Sequence, residues 1–213
     1  MRTYVFDFKV TLQLKSSSRK HIINSINFER GIYYWFASPA AISTLRIDIN
    51  SLNLFKHSIL DQDYYLVYIG IGPRSIETKK QFIKERIVSR HLGKKISNST
   101  LRLSIASIIQ EIGSSKKVGN NLKYFLSKEK EKGLSEFIEK EFCVCINQHD
   151  EPWSIESNEI QRFQPPLNLN HNTNGWNYKK MKSTRDEFQI KARSTDLKIA
   201  HQGKLTLLSL GAD

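Results

Sequence analysis

Cysteine is nearly absent from this 213-residue chain: the two present, Cys143 and Cys145, stand two apart in a β-rich run, where strand alternation turns both side chains to one face. Two thiols without histidine partners are too few for a structural zinc site, and Cα atoms two apart on one strand are poorly placed for a disulfide, so buried reduced thiols are expected. No apolar run approaches the roughly 18 to 20 residues that cross a bilayer, and no basic amphipathic anchor helix stands out. The alternating start Met1-Arg2-Thr3-Tyr4-Val5-Phe6-Asp7-Phe8 lacks the apolar core and small-residue cleavage site of a signal peptide. A cytoplasmic protein with no membrane partner is the expectation. Internal repeats, low-complexity linkers, a zinc finger and a clear helix-turn-helix are also missing. The histidines at 21, 57, 149, 171 and 201 have no metal-site spacing and read as surface or structural.

Acidic residues are the other shortage. Against 33 Lys+Arg there are 21 Asp+Glu, a formal charge of +12, and this imbalance points to a polyanionic partner, nucleic acid ahead of a membrane. The excess is concentrated: Lys79, Lys80, Lys84, Arg86, Arg90, Lys94, Lys95 and Arg102 share a stretch with one acid, Glu85. Lys79, Lys80, Lys84, Arg90, Lys94, Lys95 and Arg102 are accordingly the candidate nucleic-acid contacts. The remaining composition, 39% hydrophobic and 25% charged, is that of an ordinary folded domain, with one core the better prior at this length.

Residues 3–14 alternate as a long strand, and Lys15 to Lys20 read as a polar turn. Gly31 to Phe36 and Tyr64 to Gly70 are β-branched and aromatic runs, the second stopped by Gly70, Gly72 and Pro73. Residues 41–63 show no clean period. Thr78 to Leu92 carries Phe82, Ile83, Ile87 and Val88 at helical spacing with basic residues on the remaining face. A second helix is expected over Leu101 to Ile112, capped by Ser99 or Thr100 and ended by Gly113. Residues 113–133 read as loops around a short element, Ser135 to Lys140 as a short helix, Phe142 to Ile146 as a core strand, and Glu151 or Ser154 to Phe163 as a helix stopped by Pro165-Pro166. A late strand is expected at Leu205 to Leu208.

Taken together, these motifs are similar to those of the GIY-YIG nuclease superfamily. Gly31-Ile32-Tyr33 matches the first signature and Tyr68-Ile69-Gly70 the second; Arg86 follows on the next helix, Glu156 lies on the last core helix, and Asn168 closes Pro165-Pro166-Leu167-Asn168 twelve residues later. Either triplet alone is weak; all of them in order, spanning about residues 28–172, are specific. The resemblance implies an α/β (α+β) domain with a small central antiparallel three-stranded sheet flanked by helices over residues 28–175. An added N-terminal strand falls within residues 1–27 and a basic C-terminal extension at 176–213. It further implies a metal-dependent DNA endonuclease that leaves 5′-phosphate and 3′-hydroxyl ends.

Phosphodiester hydrolysis needs those residue types. An attacking water must be placed, negative charge on the phosphoryl oxygens spread, and the leaving alkoxide stabilised. Glu156 can hold one hard divalent cation, Mg²⁺ (or Mn²⁺), with water and substrate oxygens completing the shell. Arg86 can fork onto the scissile phosphate. Tyr33 and Tyr68 would orient water and phosphate, and the family implies that Tyr33 can act as the base, although a free phenol titrates near 10. Asn168 is expected to buttress the site. Tyr34 should face the other way and pack, and Glu159 reads as a neighbour of Glu156 or a salt-bridge partner. One departure stands out: the family commonly has histidine or tyrosine four residues after the arginine, a position held here by Arg90, with His91 one further. Either the helix is locally irregular and His91 serves, or Arg90 replaces it; an imidazole titrates near neutrality and a guanidinium does not, which favours His91.

Duplex DNA is the expected partner and the oligomeric state stays open, a dimer included. With no recognition module visible, residues 41–63, 113–133 and the tail are candidates for base contacts, which favours a restriction-type or mobile-element nuclease. The rivals are a structure-specific repair or recombination nuclease and a nucleic-acid-binding module that has lost activity.

Overall fold

A computed structural model describes residues 8–15, 19–49, 54–59, 61–77, 82–109, 113–118, 120–172 and 179–194. Two apolar runs set the centre of the fold. β2 (Gly31–Ala37) is buried along its whole length, and β4 (Gln62–Gly72) is buried from Leu66 onward. Strands covered on both faces read as continuous apolar runs rather than alternating ones. β2 pairs antiparallel with β4 on one side and with β7 (Phe142–Gln148) on the other.

The expected three-stranded sheet is therefore present as a centre, but the sheet has five strands, in the order β1-β7-β2-β4-β3. β1 (Val10–Gln13) pairs with β7, so the N-terminal strand belongs to the same sheet; the expected first half of that run falls outside the described residues. β3 (Lys56–Ile59) comes from the stretch without a period and pairs with β4 over Gln62 to Tyr65 only. Beyond Tyr65 the outer edge of β4 is met differently, by the Leu167 and Asn168 segment.

Each face of the sheet has its own helices. Tyr33, Trp35 and Tyr68 share a core with α1 (Arg19–Ser25), α2 (Pro39–Thr44), the helical run Glu85–His91 (α3), α4 (Thr100–Ile108), α5 (Lys128–Glu141) and residues 179–194 (α7). On the opposite face Ile32, Tyr34 and Phe36 pack with Ile160 of α6 (Pro152–Phe163). Cys143 and Cys145 are free, buried thiols on that second face, as their spacing predicts. A separate antiparallel ribbon pairs β5 (Ser114–Val118), in place of an expected loop, with β6 (Asn121–Phe125), which falls on the expected short element.

Several boundaries differ from the sequence expectation. α4 is capped by Ser99 but stops at Ile108, and α5 starts at Lys128, capped by Ser127, rather than at Ser135. Part of the basic tail, residues 179–194, is helical and buries Met181, Phe188 and Ala192; the expected strand at Leu205 to Leu208 lies outside the described residues. Among the described residues no helix is long and apolar enough to cross a membrane.

Arg102, expected as a nucleic-acid contact, is fully buried. Its guanidinium donates to the Glu131 carboxylate at 2.8 Å, to the Ser135 hydroxyl at 3.1 Å and to the His91 carbonyl at 3.4 Å, tying α4 to α5 and to the end of α3. A helical wheel cannot reveal this, because the glutamate arrives from a helix about 30 residues away. Removing one partner strands a buried charge, so Glu131→Ala should lower the unfolding free energy by about 3–5 kcal/mol, whereas Arg102→Met combined with Glu131→Leu should recover most of that loss. Urea denaturation of the three proteins checks both.

Candidate active site

The site begins with backbone contact. A Cβ on Gly70 would fall 2.5 Å from the Tyr33 Oη, because the Tyr33 ring lies across the residue it pairs with. A Cβ on Gly72 would fall 2.6 Å from the backbone of Ile83, two residues before α3, where the approach to that helix meets the sheet. Both glycines are thus required by close approach. They let the first phenol and the basic helix meet. A bulge on β4, where Trp35 faces Tyr68 but Phe36 faces Leu66, leaves Val67 as the extra residue and brings Val67 and Tyr68 into the same core as Tyr33.

The helix is where the offset is resolved. Glu85–His91 is π-helical, and the Leu92 N–H donates to the Ile87 carbonyl at 2.9 Å, one residue further back than in an α-helix. With i→i+5 closure, His91 stacks over Arg86 as a residue four along would in an α-helix, and Arg90 is turned aside. The local irregularity therefore belongs to the helix and His91 takes the inward position. Its Nε2 lies 2.7 Å from the Tyr33 Oη and its Nδ1 2.8 Å from the Ser99 Oγ. The rings of Tyr33, Trp35 and Tyr68 meet its edge at centroid distances of 5.3, 5.6 and 5.6 Å.

Ser99 has two duties, because its Oγ also caps α4 by accepting the Arg102 N–H at 3.1 Å. Next in sequence, the Thr100 Oγ1 lies 2.8 Å from the Tyr68 Oη. One helix start thus positions both His91 and Tyr68. Asn168 works on the backbone: its Oδ1 accepts the Ile69 N–H at 2.8 Å and its Nδ2 donates to the Ile69 carbonyl at 2.9 Å. In that way it completes the strand edge that β3 leaves open, between Tyr68 and Gly70. This is a buttress, and its amide is spent on protein.

Two adjoining cavities share Arg74, Arg86 and Thr100. The first, about 240 Å³, also takes in Arg90, His91 and Lys123. The second, about 230 Å³, takes in Tyr68, Glu156, Asn168, His171 and Arg185. Glu156 thus comes from the helix on the opposite face and reaches past the β4 edge. Glu159 goes elsewhere: its Oε2 accepts the Tyr34 hydroxyl at 2.9 Å, so Tyr34 and Glu159 form a pair apart from the site. Among the other expected contacts, Lys94 and Lys95 are exposed, Lys84 and Arg90 are partly buried, and Lys79 and Lys80 lie outside the described residues.

Burial dominates the electrostatics. It pushes the Tyr33 and Tyr68 phenols up, against the pull of Arg86 on both and of the Thr100 hydrogen bond on Tyr68. Burial would lower the Arg86 guanidinium, but Tyr33, Tyr68 and Glu156 carry it upward. Burial raises the Glu156 carboxyl, offset in part by His171, Arg74 and Arg86. His91 is held well below the usual histidine value by burial and by Arg86, Arg90, Arg102 and Arg74. Nothing in the local sequence pattern ties Arg74, His171 or Arg185 to the site, and Ser99 and Thr100 stand out there only as cap candidates. The one available signal was Pro73-Arg74, directly after the second signature strand.

A histidine kept neutral in the fold but free to protonate in the unfolded chain makes the unfolded state bind more protons. Its contribution is present above the ordinary histidine pKa of about 6.5 and is lost as pH falls from there toward the depressed native value, at up to about 1.4 kcal/mol per pH unit. Urea titrations across pH should show this acid slope, and the slope should shrink in His91→Gln.

No curated protein and no solved structure shows a match to the chain. The family model described as the GIY-YIG catalytic domain matches residues 31–189, a span that holds both glycine-bearing strands, the π-helical run, Glu156, Asn168 and most of α7. A match over most of the chain that coincides with this convergence of side chains places it: the chain belongs to the GIY-YIG family of nuclease catalytic domains.

Proposed function

We propose that the protein is a metal-dependent DNA endonuclease that attacks one phosphodiester of a duplex with water and leaves a 5′-phosphate and a 3′-hydroxyl. The observation that carries this reading is the gathering of Tyr68, Arg86, His91 and Glu156 around two adjoining cavities, with Tyr33 buried behind His91 and hydrogen-bonded to it, on elements from both faces of the sheet. All five are intact and turned together, which argues against a module that has lost activity.

Among the described residues, no group of three or more His, Cys, Asp or Glu is placed to hold an ion. A lone carboxylate suits Mg²⁺ or Mn²⁺, which keep waters and substrate phosphate oxygens alongside one or two carboxylates. Glu156 is that carboxylate, and burial makes its charge costly without a cation. The ion would supply Lewis-acid charge at the phosphate. The chain supplies the rest. When Nδ1–H of His91 donates to Ser99, Nε2 is free to accept the Tyr33 O–H; burial and the neighbouring arginines keep this imidazole neutral, so it takes the phenol's proton, as the phenol oxygen takes one from the attacking water, only once bound substrate brings water to the phenol and its phosphate offsets those arginines. Burial of Tyr33 opposes a standing phenolate, so the proton moves during attack rather than before it. Arg86 meets the charge that grows on the phosphoryl oxygens.

Arg74 and Lys123 at the cavities, with exposed Lys94, Lys95, Lys116 and Lys117 nearby in sequence, fit a polyanionic substrate. The two-stranded β5–β6 ribbon has a shape that a major groove admits and sets Lys116 directly opposite Lys123, a like-charge pair relieved by a phosphate backbone. This favours a restriction-type or mobile-element role over structure-specific repair.

Supercoiled plasmid with Mg²⁺ should be nicked or linearised, and chelator should abolish this. Glu156→Ala should abolish it too, and Arg86→Ala should slow it by about 10²–10³. Binding without cutting in every condition overturns the reading. A second comparison separates the helix positions: His91→Ala should cost about 10²–10⁴ in rate, and moving the imidazole to position 90, by Arg90→His with His91→Arg, should not restore it.

A further inference from the structure

α7 (residues 179–194) packs on the core through Met181, Phe188 and Ala192, a stripe at i, i+7 and i+11. Phe188 meets the Tyr124 ring edge-on at 6.5 Å, and Arg193 donates to the Tyr124 hydroxyl at 3.1 Å, so the helix is anchored to the β5–β6 ribbon. Arg185 lies on the same stripe, four residues after Met181 and three before Phe188. An arginine among inward apolar positions calls for a partner. Among the described residues none accepts a hydrogen bond from it, and its Nε is buried with no partner.

The side chain lines the second cavity with Tyr68, Arg74, Arg86, Glu156 and Asn168. Burial depresses its pKa, opposed by Tyr68 and Asp186. Arg86 lines both cavities, whereas Arg185 lines only the second, which His91 does not line. Arg185 therefore stands further from the Tyr33–His91 pair than Arg86 does, beside Tyr68 and Glu156. A planar, unpaired guanidinium in a polar cavity matches a phosphate oxygen pair.

We propose that Arg185 is a second phosphate-binding residue, which grips the phosphodiester next to the scissile one, so that the site is completed by the C-terminal helix. This rests on the nuclease reading above. It makes α7 part of the substrate groove and explains why an unpartnered arginine persists on a packed face: its anion arrives with the substrate.

The test measures binding of the full chain to a labelled 20-base-pair duplex by fluorescence anisotropy, in a Glu156→Gln background that prevents cutting, across a series of salt concentrations. Arg185→Met should weaken binding about tenfold and reduce the salt slope by about one. Its melting temperature should be equal to or above the parent's, because a half-buried cation whose Nε is sealed without a partner is replaced by an apolar chain of similar length. Arg185→Lys should keep the salt slope while losing part of the affinity. With the same duplex carrying one neutral methylphosphonate beside the linkage that the active protein cleaves, Arg185→Met should cost nothing further, the sign of a direct pair. Unchanged affinity and slope in Arg185→Met overturn the proposal and leave the nuclease reading standing. A fall in melting temperature with no change in slope does the same, by showing a structural arginine. A parent that neither binds nor cuts the duplex overturns both.

Discussion

The hydrogen bond between Tyr33 and His91, 2.7 Å long and sealed from solvent, is the contact on which the rest of the candidate site depends. It joins the central strand to the basic helix, and it forms only because that helix widens to a π turn. An α-helical Glu85–His91 would turn the imidazole about 100° away and present Arg90 in its place. A guanidinium there would set a second cation next to Arg86 and offer no acceptor to the phenol. The widened turn is thus a local cost accepted for an imidazole at the wall of the cavity, in keeping with the tendency of π bulges to fall at functional sites.

Around that bond the fold supplies rigidity through backbone rather than bulk. Gly70 lets the Tyr33 ring lie flat on its paired strand, and Gly72 lets the chain touch the sheet at Ile83, just before α3. Asn168 fills the open edge of β4 with the hydrogen bonds a further strand would have made. Because β3 stops short of this edge, α6 can send Glu156 around it toward Tyr68 and Arg86, although α6 packs on the other face. A full-length β3 would occupy the very edge that Asn168 uses. The short strand and the asparagine are two halves of one arrangement.

The positive charge has a division of labour that composition conceals. Arg102 is spent on Glu131 and holds three helical segments together. Arg86, with Arg74, lines both cavities, and Arg185 enters one of them from a helix that the sequence marks only as a basic tail. A count of lysines and arginines treats these as equals. Their burial and their partners separate a cation bound within the fold from those that face a cavity.

What the residues determined by themselves is the family, the central strands and most of the candidate site: the two glycine-tyrosine signatures, Arg86, Glu156 and Asn168 are short-range patterns that local spacing preserves. They also separated Tyr34 from Tyr33, because strand alternation is a purely local rule. Only the tertiary structure decided between Arg90 and His91, since the hydrogen-bond register of one helical turn is selected by what packs against it. It also widened the sheet from three strands to five, buried Arg102 against a glutamate from another helix, and brought Arg74, His171 and Arg185 to the cavity. Each of those outcomes turns on a partner distant in sequence, and neither periodicity nor composition carries information about which distant residue will arrive.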